Sequence, residues 1–176
     1  MMRREKKLRE LIKEYRQSVP ALRFIGKKYG DSVHGYGAMW GEWFENGWFD
    51  IIAKQNDVNA KDNYEDGEAY IGLIGGSGTK ENPIEYWIGM FMPENTPVPE
   101  SFGYIDFPKS DFGICWVYGN ENELYGNYNQ CIDKLINKGF EFNVDLPWCF
   151  ERYVCPRFTT PDEKGNVILD IGFFVK

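Results

Sequence analysis

The sequence predicts an α+β fold: duplicated βαββ modules related by a pseudo-twofold, an antiparallel sheet with helices on one face, and an added N-terminal helix. Three observations carry this. Apolar patterning follows the order strand–helix–strand–strand, and then the same order returns. Short matches recur between the halves: Tyr29-Gly30 with Tyr118-Gly119, Glu68-Ala69-Tyr70 with Glu151-Arg152-Tyr153, and Ile88-Gly89-Met90-Phe91 with Ile171-Gly172-Phe173-Phe174. The length, 176 residues, suits one domain with a core of its own.

Taken in order, Leu8, Leu11, Ile12 and Tyr15 fall at helical spacing, which predicts an amphipathic basic helix over 1–19, closed near Val19-Pro20. The domain proper is set at 20–176, with repeat one about 20–93 and repeat two about 102–176. Residues 21–30 alternate as a strand. Residues 38–56 place Trp40, Trp43, Phe44, Trp48, Ile51 and Ile52 on a broad helical stripe. A polar loop follows at 57–67, then strands at 68–75 and 84–92 around a Gly-rich turn. Gly75-Gly76-Ser77-Gly78 opens no helix, so it reads as a hairpin turn and not a phosphate cradle.

In the second half, 112–119 reads as a strand and 121–138 as a helix, with Leu124, Tyr128, Cys131, Ile132 and Leu135 on its apolar stripe. Gly139 suits the position just past the helix C-terminus. Strands follow at 147–155 and 166–175. Two such halves meeting about a pseudo-twofold would line an axial pocket from both sides.

Composition narrows the function classes. Twenty basic and 27 acidic residues give a net charge of −7, a poor match to nucleic acid or an anionic membrane surface and a tolerable one to cations. Residues 1–16 run against this, with seven basic residues against three acidic ones; a solvated helix face accounts for them. The four cysteines, at 115, 131, 149 and 155, form no CxxC pair and there is one His, so no metal and no cofactor is expected. They read as reduced thiols of a cytoplasmic protein, and no export signal or membrane span is evident.

The chemistry concentrates in Trp148-Cys149-Phe150-Glu151-Arg152-Tyr153-Val154. This run reads as a buried strand with a carboxylate among rings. Burying a carboxylate is costly unless a cation or hydrogen-bond donors meet it. An internal partner would be Arg152, Arg157 or Arg23, although Arg152, next along a strand, points to the opposite face. Backbone donors are the second option, and a cationic ligand that arrives from outside is the third. Thirteen Phe, eleven Tyr and six Trp supply more ring surface than a core of this size needs, and aromatic faces attract cations.

On Tyr70-Ile71-Gly72, Tyr86-Trp87-Ile88-Gly89, Ile105-Asp106-Phe107-Pro108, Phe150-Glu151-Arg152-Tyr153 and Asp170-Ile171-Gly172-Phe173-Phe174-Val175, the chain resembles the GyrI-like small-molecule-binding superfamily, which includes effector-binding domains of multidrug-sensing transcription regulators. The resemblance covers about residues 20–176. It implies paired βαββ modules around a central aromatic pocket, with Glu151 as counter-charge for lipophilic cations and Tyr153 beside it. Many relatives carry a helix-turn-helix before this domain, and the nineteen preceding residues are too few for one. A stand-alone form is therefore expected. Ligand contacts are expected from Glu151, Tyr153, Trp116, Tyr118, Trp87, Phe173, Tyr36 and Trp40, with His34 and Tyr36 capping the mouth. Glu68 is expected to be an exposed strand-end residue.

Three functions compete. The favoured one is a binder of lipophilic, cationic aromatic small molecules that acts as sensor or sequestering protein. The first alternative is a hydrolase opening cyclopropanoid electrophiles, an activity the resemblance permits, with Glu151 as general base and Tyr153 or Tyr118 as polarising groups. The second is a protein-interaction module that docks through residues 1–16. Direct nucleic-acid binding is not expected.

Overall fold

The structure is a computed structural model, and it describes residues 9–30, 36–56, 60–126 and 128–176. Eight strands form one antiparallel sheet: β1 (Arg9–Val19), β2 (Leu22–Tyr29), β3 (Tyr70–Gly75), β4 (Glu85–Pro93), β5 (Gly103–Phe107), β6 (Ser110–Asn120), β7 (Cys149–Tyr153) and β8 (Asn166–Val175). The helices are α1 (Gly37–Glu45), α2 (Trp48–Ala53), α3 (Ala60–Asn63) and α4 (Asn129–Asn137).

Strand order is β1-β6-β8-β7-β3-β4-β2-β5. This order is symmetric about the β3–β7 seam. Each half is a βαββ module, and each receives an edge strand from the chain just ahead of the other half. The seam pairs Tyr70 with Tyr153 and Gly72 with Glu151. Tyr70 and Tyr153 are also matched in the sequence repeat, so the pseudo-twofold passes between them.

The ladders also correct one sequence match. Phe24 pairs with Phe91, and Phe112 pairs with Phe174. All four rings lie in one cluster, so Phe24 corresponds to Phe112. A one-residue slip turns every side chain over. Tyr29 meets the helix side by accepting from Trp43 Nε1 at 2.9 Å, whereas Tyr118 faces the other way. Tyr29-Gly30 and Tyr118-Gly119 are therefore not structurally equivalent.

The sheet is strongly curled. Phe107 on β5 stacks on Phe174 of β8 with centroids 4.8 Å apart; five strand spacings in a flat sheet would separate them by about 24 Å. The concave face thus closes on itself around Phe24, Phe91, Phe107, Phe112, Phe150 and Phe174. The helices sit on the convex face. Trp43, Phe49 and Ile52 of α1 and α2 cover Ile25, Tyr86, Ile88, Met90 and Met92. Cys131 and Leu135 of α4 cover Cys115, Val117, Leu169 and Ile171.

Three sequence expectations change here. Residues 9–19 are not a helix but edge strand β1, paired along β6. Leu11, Ile12 and Tyr15 fit helical spacing equally well as a strand that packs on both faces: Tyr15 joins the phenylalanine core and Leu11 the α4 side. Leu8, with 1–8, lies outside the described residues. The helix read over 121–138 is shorter, a 3-10 turn at Glu121–Glu123 followed by α4. The helical stripe at 38–56 is split by Gly47, whose positive φ of 62° separates α1 from α2. All four cysteines are free thiols. Among the described residues no helix is long and apolar enough to cross a membrane.

Candidate functional site

The seam places Glu151 on the convex face between the two helical layers. α1 begins on one side of it and α4 on the other. Between them lies a cavity of about 940 Å³ whose walls include Tyr36, Trp40, Phe44, Tyr70, Tyr86, Tyr125, Tyr128, Tyr153 and Phe158. Glu68, Glu121 and Glu151 also line it, with no Lys or Arg among the described residues.

Glu151 is 7% exposed and is surrounded by phenols. Tyr153 Oη donates to Oε2 at 2.8 Å, Tyr86 Oη to the same oxygen at 3.3 Å, and Tyr128 Oη to Oε1. Burial raises the pKa of the carboxyl, and the three phenol donors oppose that rise. Burial also pushes up the hydroxyls of Tyr86, Tyr128 and Tyr153, so they remain neutral donors. Tyr125, beside Tyr153, is pushed up to about 12. The shell therefore solvates the charge of Glu151 without cancelling it.

The rings are held in turn. Tyr36 stacks on Tyr86 at 3.9 Å between centroids. Trp40 Nε1 donates to Tyr86 Oη at 3.0 Å, and the Trp40 ring meets Tyr153 edge-on at 4.7 Å. Phe158 meets the other side of Tyr153 at 4.7 Å. Phe49 stacks on Tyr70 at 3.7 Å.

Gly72 makes room for this cluster. A Cβ there would lie 2.5 Å from Tyr86 Oη and 3.0 Å from Glu151 Oε2. Gly72→Ala is expected to displace the Tyr86 hydroxyl and destabilise the fold by about 1–3 kcal/mol, the usual cost of overpacking. Urea denaturation measures this, and an unchanged midpoint would mean that the cluster relaxes freely.

The adjacent residue has the opposite circumstances. Arg152 is 1% exposed on the concave face and Asp170 is fully buried. Arg152 Nε donates to Asp170 Oδ2 at 2.9 Å, and its other nitrogens donate to Gln17 Oε1 at 2.7 Å and Tyr15 Oη at 3.0 Å. Arg157 bridges Asp170 and Asp66. Two guanidinium groups and two carboxylates are thus balanced. Arg23, the remaining internal candidate, is taken by Asp106 at 2.7 Å. None of the three arginines faces Glu151, and no ion pair to Glu151 occurs among the described residues.

Of the residues named from sequence, Glu151, Tyr153, Tyr36 and Trp40 line the cavity. Trp116, Tyr118, Trp87 and Phe173 do not. Trp116 lies on the concave side, its ring held between Lys13 Nζ at 4.4 Å and the Arg157 guanidinium at 4.7 Å. Tyr118 donates to Asp162 Oδ2 at 2.5 Å. Trp87 packs edge-on to Phe24 at 6.1 Å. Phe173 shares the face of Glu151 but is packed beneath Phe142 at 5.4 Å. His34 lies outside the described residues. Glu68 is exposed, as expected, yet it borders the cavity.

The sequence reading missed Tyr70, Tyr86, Tyr125 and Tyr128 as cavity residues. The signal for Tyr86 was available in its strand. Tyr86, Ile88, Met90 and Met92 alternate as one apolar set opposite the α1–α2 stripe, which puts Trp87 on the far face. Tyr128 fell on the α4 stripe and read as core, whereas it stands at the N-cap.

No protein-family model matches the chain, and no curated protein matches it. Solved structures do. The protein SAV2435 bound to tetraphenylphosphonium is 14% identical with a TM-score of 0.61, covering 94% of each chain. A bacterial transcription regulation protein from Staphylococcus aureus MU50 is 14% identical with a TM-score of 0.58, covering 94% of this chain and 99% of that one. A hydrolase from Listeria innocua is 10% identical with a TM-score of 0.54, covering 93% of this chain and 92% of that one.

Proposed function

We propose that this chain, which has the fold of GyrI-like small-molecule-binding domains, uses its central cavity to bind lipophilic aromatic cations with Glu151 as counter-charge. The observation that carries the reading is a nearly buried carboxylate met, among the described residues, by neutral phenols and by no cation, while the arginine beside it is matched to its own acid. A cation seated among these rings gains the unscreened attraction of the carboxylate. It also gains about 0.5–2 kcal/mol from each well-placed ring face. Stacking demands little directional fit, so ligands of several shapes are accommodated. SAV2435, of like fold, was solved with tetraphenylphosphonium, which makes that cation the first probe.

The test is calorimetric titration with tetraphenylphosphonium and with neutral triphenylphosphine oxide. The cation is expected to bind saturably at one site and the neutral compound at least tenfold more weakly. Equal affinities would remove the electrostatic basis of the reading.

Proton linkage supplies a second check. The carboxyl pKa is raised in the folded protein. In the window between the ordinary Glu pKa and the raised one, the folded state holds a proton that the unfolded state has lost. Stability from this group is full below that window and is lost as pH rises through the raised pKa. A cation favours the carboxylate, so its affinity is expected to rise with pH across the same window and then level off. Binding there releases a proton, which calorimetry in two buffers of different ionisation enthalpy detects. A pH-independent affinity with no proton release would count against Glu151 as the partner.

Hydrolysis is the second reading. A carboxylate with a raised pKa inside a ring of phenols is also a general-base arrangement for an activated water. A cyclopropanoid compound recovered intact after prolonged incubation, by mass spectrometry, would argue against it.

A further inference from the structure

We infer, resting on the cation reading above, that the cavity is built for a ligand with two positive charges, one seated at Glu151 and the other at the mouth between Glu68 and Glu121. Three carboxylates border the cavity, and among the described residues no Lys or Arg lines it. Glu151 is the buried one of the three. Glu68 and Glu121 are solvent-exposed and come from opposite halves of the molecule, Glu68 just ahead of β3 and Glu121 just after β6. Neither forms an ion pair among the described residues. The cavity thus presents two exposed carboxylates, from opposite halves of the fold and without an ion-pair partner among the described residues, and a third that is buried.

Size and surface agree with this. At about 940 Å³ the cavity lies near the upper end of pockets for drug-sized molecules, roughly 300–1,000 Å³. Its outer wall carries apolar groups left in solvent: Phe44 is 60% exposed, Tyr125 44% and Ile84 37%. A compact monocation at Glu151 would leave those groups uncovered. An elongated ligand with an apolar middle covers them and delivers its second charge to the two outer carboxylates. Each outer pair is solvent-screened, so the gain is modest, about five- to tenfold for both together.

The experiment uses a matched pair of probes, 1-decylquinolinium and 1,10-bis(quinolinium)decane, titrated calorimetrically into the full chain and into the exposed-residue variant Glu68→Gln/Glu121→Gln. In the wild type the bis-cation is expected to bind about five- to tenfold tighter, beyond the statistical factor of about two for its identical ends. In the variant that advantage is expected to fall within the statistical factor, the bis-cation losing at least about threefold more affinity than the monocation. Equal affinities in the wild type, or an advantage that survives in the variant, would overturn the two-charge inference and leave cation binding at Glu151 standing. No binding of either probe would instead overturn the reading on which it rests.

Discussion

Glu151→Gln is expected to weaken binding of tetraphenylphosphonium by about 30- to 100-fold while leaving the fold as stable as before or more so. The substitution preserves shape and removes one charge. A cation about 4 Å from a carboxylate gains about 4 kcal/mol at an effective dielectric of 20. Part of that goes to desolvating the ligand, leaving roughly 2–3 kcal/mol, which is the stated loss. The stability half follows from the raised pKa of Glu151, whose first cause is burial. A raised pKa means that folding penalises the charged form relative to the unfolded chain, and Gln carries no charge to penalise. The hydroxyls of Tyr86, Tyr128 and Tyr153 can rotate to accept from the amide as readily as they donate to the remaining oxygen. Fluorescence titration together with urea denaturation reads both halves. Unchanged affinity would mean that the rings alone hold the ligand. A large fall in stability would mean that the carboxylate is a structural hub of the three phenols.

Legibility of the fold in the sequence followed the strength of each periodic signal. The sheet order could be anticipated as two halves because Ile88-Gly89-Met90-Phe91 and Ile171-Gly172-Phe173-Phe174 repeat with the same facing: Ile88 and Ile171 toward helices, Phe91 and Phe174 toward the concave core. The N-terminal strand was not legible. Apolar residues at 11, 12 and 15 satisfy a helical stripe, and only pairing with β6 shows that both faces of this segment are used. The carboxylate was legible because a charge between Phe150 and Tyr153 is anomalous by itself. Its shell was not, because choosing among Trp87, Trp116, Tyr118 and Phe173 requires the facing of three strands, β4, β6 and β8, and the reach of two helices. A one-residue error in facing exchanges Trp87 for Tyr86. The tyrosines at 125 and 128 come from the segment that leads into α4, where no strand alternation applies.

Asp170→Asn should give the reverse pattern, a loss of about 3–5 kcal/mol in stability, because removing one partner of a buried ion pair leaves the other charge without compensation. Asp170 is fully buried beneath two guanidinium groups, with Arg157 Nη2 at 2.5 Å and Arg152 Nη2 at 2.8 Å from Oδ2. Asp66 alone cannot neutralise both, since it reaches Arg157 at 2.7 Å but Arg152 only at 3.5 Å. The same network joins two loops that build one cavity wall. Asp66 precedes Glu68 and Ala69, and Arg157 lies between Cys155 and Phe158, all four of which line the cavity. Any fall in cation affinity in Asp170→Asn should therefore be accompanied by lost stability, whereas in Glu151→Gln it should not. Guanidinium denaturation of both variants, with tetraphenylphosphonium titrations alongside, separates the two carboxylates. If Asp170→Asn cost less than about 1 kcal/mol, the two arginines would have to find solvent or other acceptors, and the balanced network would not be what fixes this side of the sheet. If it costs the expected amount, Arg152 is neutralised from within, and Glu151, which forms no ion pair among the described residues, is the carboxylate that the proposed cation would meet.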